Sequence, residues 1–164
     1  MPNIHSIKSL ILLISLTLIS NANADTLAKL DKVQDLAILG QQIKSDRKPL
    51  LLLFSAEHCE YCERLTAEQL SPMASDNTYK NQLIFRELKI DDAGYFNNFN
   101  GQQISYEEFA DLYAIDVTPT LVLLDHKGRM LTRRIVGYGN PDFFSAYMDE
   151  HIQVAVKKLQ QVLN

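Results

Sequence analysis

The chain has 164 residues, 46% of them hydrophobic, and sets 16 basic against 20 acidic side chains for a net charge of −4. An acidic balance with no basic tract gives no reason to expect nucleic acid as a partner. The length suits one domain with a proper core.

Residues 1–24 read as a secretory leader. Met1 to Lys8 is short and mildly positive, Leu10 to Ile19 is apolar, and Ala22-Asn23-Ala24 is a small-residue cleavage pattern with Asp25 as the mature start. The apolar run is about half as long as a spanning helix requires. No cysteine closes the leader, so a lipid anchor is not supported. Removing residues 1–24, which hold Lys8 and no acid, takes the net charge from −4 to −5 and leaves residues 25–164 as one domain.

Leu27, Leu30, Val33, Leu36 and Ala37 recur at helical steps and predict a helix over 26–46, capped by Asp25 or Thr26. Pro49 ends it and opens Leu50-Leu51-Leu52-Leu53-Phe54, an unbroken apolar run that suits a strand buried on both faces. Leu65, Leu70 and Met73 then mark the inner side of a helix reaching Pro72 or just past it. Gln82 to Asp91 reads as the next strand, with Ile84, Leu88 and Ile90 on one face and Arg86 interrupting it. Ser105 and Glu108 have capping-box spacing, and Phe109, Leu112 and Tyr113 supply a core stripe. Val117-Thr118-Pro119-Thr120 leads into the strand Leu121 to Leu124. Asp125-His126-Lys127-Gly128 turns it, and Met130 to Val136 returns as an antiparallel partner. Asn140-Pro141 starts a last helix that buries Phe144, Tyr147, Met148, Ile152, Ala155 and Leu159. Helices alternating with strands imply an α/β domain with parallel pairing and a covered sheet, closed by the hairpin.

The chemistry concentrates in Cys59-Glu60-Tyr61-Cys62, the only two cysteines of the chain. They stand at the end of a buried strand, where a helix begins. The partial positive charge of a helix N-terminus favours a thiolate there, and the second thiol lies one turn along on the same face. In an oxidising compartment a lone pair is ordinarily a structural bridge. A bridge between neighbours this close closes almost no loop and stabilises little, so the spacing favours redox work.

With the strand, Ser55-Ala56-Glu57-His58-Cys59-Glu60-Tyr61-Cys62, the later Thr118-Pro119-Thr120 and Gly137 after the hairpin, all in the right order, the chain resembles the thioredoxin superfamily over about residues 47–155. It looks most like the exported members that handle periplasmic disulfides. The resemblance implies a thioredoxin-like fold, with a central mixed sheet of about four strands flanked by helices. It implies that Cys59 is the attacking nucleophile and Cys62 the resolving thiol. Pro119 would be a cis proline beside them, and Thr118 would offer backbone hydrogen bonds to an extended substrate. The implied activity is a periplasmic thiol:disulfide exchange with protein substrates, without a cofactor. As a reductase it would draw electrons from a membrane-embedded dithiol carrier, and the molecule is expected to be a monomer.

Three departures bear on mechanism. Thioredoxins proper place a buried Asp six residues before the first cysteine, where it assists proton transfer from the resolving thiol; here that position is Leu53. Glu57, two residues before Cys59, is either a substitute in proton transfer or a solvated surface acid. Glu60 and Tyr61 replace Gly-Pro, and Glu63 follows. Carboxylates near a thiolate raise the thiol's pKa, partly offset by His58 and Arg64, which leans the couple toward reduction. Finally, Asp91 to Gln103 is longer than the thioredoxin link. Its Tyr95, Phe96 and Phe99 either line the approach to the cysteines or pack onto the domain.

Other readings are a disulfide donor, a chaperone with dispensable cysteines, and a metal module using His58, Cys59 and Cys62. Three adjacent ligands without a distant partner make an incomplete metal site. His126 and His151 read as a turn residue and a helix-face residue.

Overall fold

A computed structural model describes residues 29–164. The expected leader, its cleavage point, the Asp25 or Thr26 cap and Leu27 lie outside the described residues. The elements are α1 (Leu36–Asp46), β1 (Leu50–Ser55), α2 (Glu60–Leu65), α3 (Ser71–Ser75), α4 (Asn77–Lys80), β2 (Ile84–Lys89), β3 (Tyr95–Asn97), β4 (Gln103–Ser105), α5 (Tyr106–Leu112), β5 (Thr120–Leu124), β6 (Ile135–Val136) and α6 (Pro141–Leu163).

The main sheet has the order β2-β1-β5-β6. β1 runs parallel to β2, with Leu53 opposite Glu87, and antiparallel to β5, which pairs antiparallel with β6. All six residues of β1 are buried, as a strand with neighbours on both edges and cover on both faces demands. The mixed sheet of four strands between helices is the expected architecture.

The first helix is shorter than its periodicity indicated. Residues 29–35 are not helical: Glu87 donates its N–H to Asp31 O and Val33 donates to Glu87 O, both at 2.9 Å, so this segment lies parallel along the free edge of β2. Leu30 and Val33 are buried there all the same. Exposed edge groups on β2 are satisfied in this way, which outweighs a weak local preference for helix. The helix starts where Asp35 accepts the Ile38 N–H at 2.9 Å and ends at Arg47, in left-handed conformation.

α2 and α3 form one helical stretch interrupted by a π-turn at Thr66–Leu70, where Ser71 donates to Thr66 O five residues back. Pro72, which has no N–H, follows directly, so the regular ladder cannot be kept through this turn. Leu65, Leu70 and Met73 are buried as expected. β2 occupies only 84–89 of the anticipated 82–91.

The 91–103 excursion contains structure that alternation alone did not reveal. β3 and β4 pair antiparallel as a separate two-stranded sheet, Tyr95 opposite Ser105. Phe96 packs inward against Tyr106 and Phe109, and Phe99 packs partly buried on the core, so these two aromatics join the domain. The capping box of α5 is complete, with Glu108 N–H donating to Ser105 Oγ and Ser105 N–H to Glu108 Oε2. Leu112, expected in the stripe, is 68% exposed; Phe109 and Ala110 are buried, and Tyr113 is partly so. The helix stops at Leu112, and its last turn rotates that side chain into solvent.

The returning strand is also shorter than 130–136. Leu124 meets Met130 and Leu121 meets Ile135, so five steps on the return oppose three on β5, and two residues bulge out. α6 begins with Asn140 accepting the Asp142 N–H and Pro141 in the first turn. It buries Phe144, Met148, Ile152, Ala155 and Leu159, with Tyr147 partly covered. His151, anticipated as a face residue, is buried, with its ring tilted against that of Tyr147 at 4.5 Å between centroids.

Candidate active site

The site lies where β1 delivers the chain into α2. After Ser55 the backbone passes through His58 with φ +57, and this reversal carries Cys59 to the N-cap of α2. Glu57 N–H is held by the Asp91 carboxylate at 2.8 Å, tying the approach loop to the end of β2. Cys62 and Glu63 both donate to Cys59 O at 3.0 Å, the first hydrogen bonds of the helix.

Cys59 and Cys62 are joined as a disulfide, with Cα atoms 5.2 Å apart. Their exposures differ. Cys59 is half-buried, whereas Cys62 is 4% exposed on the inner face of α2. Cys59 Sγ accepts from the Cys62 N–H at 3.3 Å and from the Thr118 hydroxyl at 3.5 Å. These donors face the sulfur that would carry negative charge after reduction, and hydrogen bonds to a thiolate stabilise it. Glu60 and Glu63, in the first turn, act in the opposite sense.

Thr118 and Pro119 come from the loop ahead of β5, and the peptide bond between them is cis. Two contacts hold this loop: Thr120 Oγ1 donates to Val117 O at 2.6 Å, and Gly137 N–H donates to Pro119 O at 2.8 Å. Val117 and Tyr61 are both more than half exposed, on the loop before Pro119 and in the cysteine turn. Behind the turn, Tyr138 Oη donates to Glu68 Oε2 at 2.8 Å and Arg64 lies over the Tyr138 ring at 5.8 Å. The hydrogen bond from Tyr138 holds the Glu68 carboxyl below its ordinary pKa. The loop after β6 and the helix carrying the cysteines are thereby fixed together.

Sequence reasoning did not single out the floor of the site. A cavity of about 390 Å³ is lined by Cys59 and Cys62 together with Ser71, Glu87, Lys89 and Lys29. Ser55, itself 1% exposed, donates its hydroxyl to Glu87 Oε1 at 2.6 Å. The available signal was the alternation Phe85-Glu87-Lys89, which puts two charges on one face of a strand flanked on both sides. Glu57 is exposed and is not among the residues lining this cavity. Among the described residues, no group of three or more His, Cys, Asp and Glu is arranged to hold a metal ion.

A family model for the thioredoxin-like domain matches residues 40–152. A comparison with curated proteins finds no match. Among solved structures, the chain is similar to oxidised mitochondrial thioredoxin 3 from Saccharomyces cerevisiae, with TM-score 0.51 and 19% identity over 74% of this chain and 94% of that one. Thioredoxin NaTrxh from Nicotiana alata gives TM-score 0.50 and 16% identity over 76% and 96% of the two chains. A chain solved in work on thiol resolution in yeast mitochondrial 1-Cys peroxiredoxin, through the glutathione/thioredoxin systems, gives TM-score 0.51 and 18% identity over 76% and 97%. At such identities these likenesses concern the fold. The family model spans the cysteine pair, the Thr118-Pro119 loop and all four strands of the sheet that positions them, and the chain belongs to the thioredoxin-like domain family.

Proposed function

We propose that the protein is an exported thiol:disulfide oxidoreductase that works on protein substrates in the periplasm, in the reducing direction. The observation that carries the reading is the asymmetric pair: Cys59 half-buried at a helix N-cap and Cys62 beneath it within bonding distance. In the reduced protein, the Cys59 thiolate attacks one sulfur of a substrate disulfide. A mixed disulfide forms, and the other substrate sulfur leaves as a thiolate. Cys62, once deprotonated, attacks Cys59 Sγ. The second substrate sulfur leaves, the substrate has gained two electrons, and the Cys59–Cys62 bond is restored. Thr118 and Pro119 form the edge against which an extended substrate segment lies, with Tyr61 and Val117 as its apolar border.

The direction rests on Glu60 and Glu63, whose charges disfavour a thiolate at Cys59 and make the couple less oxidising. Export rests on the 1–24 leader, and a reductase in an oxidising compartment draws on a membrane dithiol carrier for its electrons. The protein acts as a monomer in this scheme. Turnover of insulin disulfides with dithiothreitol tests the activity. Cys59→Ser is expected to abolish it, and Cys62→Ser to accumulate a mixed disulfide. Full activity in the double Cys→Ser variant would remove the redox reading. Equilibration with glutathione tests the direction: a potential near that of strong oxidants, about −120 mV, rather than near thioredoxin's, about −270 mV, would reverse it.

A further inference from the structure

The resolving step requires the Cys62 thiol to lose its proton inside the protein, and burial in apolar surroundings opposes this. Strand β1 supplies no acid for the task, because the residue six before Cys59 is Leu53. The ladder supplies one from the neighbouring strand. Leu53 is in register with Glu87 in the parallel pair β1–β2, and Ser55 with Lys89. Partners opposite each other in a parallel pair project to the same side of the sheet. Glu87 therefore occupies, one strand over, the face that Leu53 leaves without a carboxylate.

Three further observations place this acid at the reaction. Glu87 and Cys62 line the same cavity of about 390 Å³, which is open to solvent and wide enough for water. Among the described residues, Glu87 is the one carboxylate beside Glu63 in that lining, and Glu63 is exposed whereas Glu87 is half-buried. The Ser55 hydroxyl, 2.6 Å from Oε1, anchors the carboxylate by a single oxygen. Its backbone is pinned on both sides, by β1 and by the segment carrying Asp31 and Val33. A half-buried carboxylate fixed by a buried hydroxyl and by its own strand is held where it can meet what enters this cavity.

We infer that Glu87 is the proton acceptor for Cys62 in the resolving step. The inference rests on the exchange reaction proposed above. In the mixed disulfide, the Glu87 carboxylate takes the Cys62 proton through solvent in the cavity. The Cys62 thiolate attacks Cys59 Sγ, the Cys59–substrate bond breaks, and the leaving substrate thiolate receives a proton as Glu87 returns to its charged form. Lys89 on the same strand, Lys29 and Lys32 on the edge segment, and His58 and Glu63 at the cysteine turn are the charged or titratable groups that face Glu87 and tune this exchange.

The test compares two half-reactions by rapid mixing of reduced protein with a peptide disulfide. Glu87→Gln keeps an oxygen for Ser55 and removes the base, and Glu87→Asp keeps the base. In a Cys62→Ala background, Glu87→Gln is expected to change mixed-disulfide formation at Cys59 far less than it slows resolution, and not to slow it, because removing a carboxylate near Cys59 favours its thiolate. With Cys62 present, Glu87→Gln is expected to slow resolution about a hundredfold, the low end for loss of a general base, and to move its pH dependence upward. Glu87→Asp is expected to recover part of the rate. The inference is overturned if Glu87→Gln resolves with the wild-type rate and pH profile, if both half-reactions slow together, or if Glu87→Asp resolves no faster than Glu87→Gln. Failure of the unmodified protein to exchange disulfides at all would instead overturn the function on which it rests.

Discussion

Phe96→Ala decides what the β3–β4 excursion is for. Phe96 is 3% exposed, with ring centroids 4.9 Å from Tyr106 and 5.2 Å from Phe109. Phe109 in turn lies 6.1 Å from Phe54, on the same strand that leads to the cysteines. Truncating a buried Phe to Ala costs about 3–5 kcal/mol, the transfer of its ring plus the cavity left behind. For a domain of this size, 1 kcal/mol corresponds to about 3–5 °C, so Tm is expected to fall by about 9–25 °C. A natural stability above about 7 kcal/mol, within the usual range of about 5–15 kcal/mol, leaves most of the variant folded at 25 °C. Thermal unfolding followed by circular dichroism measures the loss, and insulin turnover at 25 °C measures function. We expect the large Tm shift with an exchange rate within twofold of wild type, while Tyr95→Ala, at a site 69% exposed, changes Tm by no more than a degree or two. If Phe96→Ala left Tm nearly unchanged, or slowed exchange while still folded, the excursion would belong to the substrate surface and the packing argument would be wrong.

Gly128→Ala is expected to cost more than Gly101→Ala, although both glycines have φ above +70. At Gly128 an added Cβ would sit 2.5 Å from the Phe99 ring and 2.9 Å from the Tyr113 hydroxyl, whereas at Gly101 nothing lies within 4 Å. Urea unfolding should give about 1 kcal/mol of left-handed strain at position 101 and clearly more at 128; equal losses would refute the close approach. His151 is buried with its Nδ1 unpartnered, and burial, reinforced by Arg133 and opposed by Glu150, lowers its pKa from 6.5. Below pH 6.5 the unfolded chain binds a proton that the folded chain resists, so stability falls as pH drops from 6.5 toward the lowered value and is fully retained above 6.5. His151→Leu should lose less Tm between pH 7 and pH 5 than wild type, and parallel pH profiles would show that the imidazole is not the cause.

Elements whose own residues dictate their state were legible in the chain. The Leu50–Phe54 run, opened by Pro49, suits a strand covered on both faces, and β1 is buried throughout. Ser105 with Glu108 and Asn140 with Pro141 start helices through local hydrogen bonds that need no distant partner. The misreadings fall where a distant partner decides. Leu30 and Val33 have helical spacing, yet β2 offers unpaired N–H and C=O groups that only an extended segment can meet. Leu112 has the right period, but α5 ends before that face turns inward.

The cysteine motif, its place between strand and helix, and Thr118-Pro119 were set by the primary structure, because each is a short-range pattern with its chemistry contained in a few adjacent residues. Which groups stand beneath Cys62 was decided by the tertiary structure alone. The register of β1 on β2 matches Leu53 to Glu87 across 34 residues of chain, and a shift of one residue would turn Glu87 to the opposite face. Local sequence carries no record of that register, which is set by the packing of the whole sheet. Only the folded ladder therefore shows which strand brings the carboxylate to the cysteines.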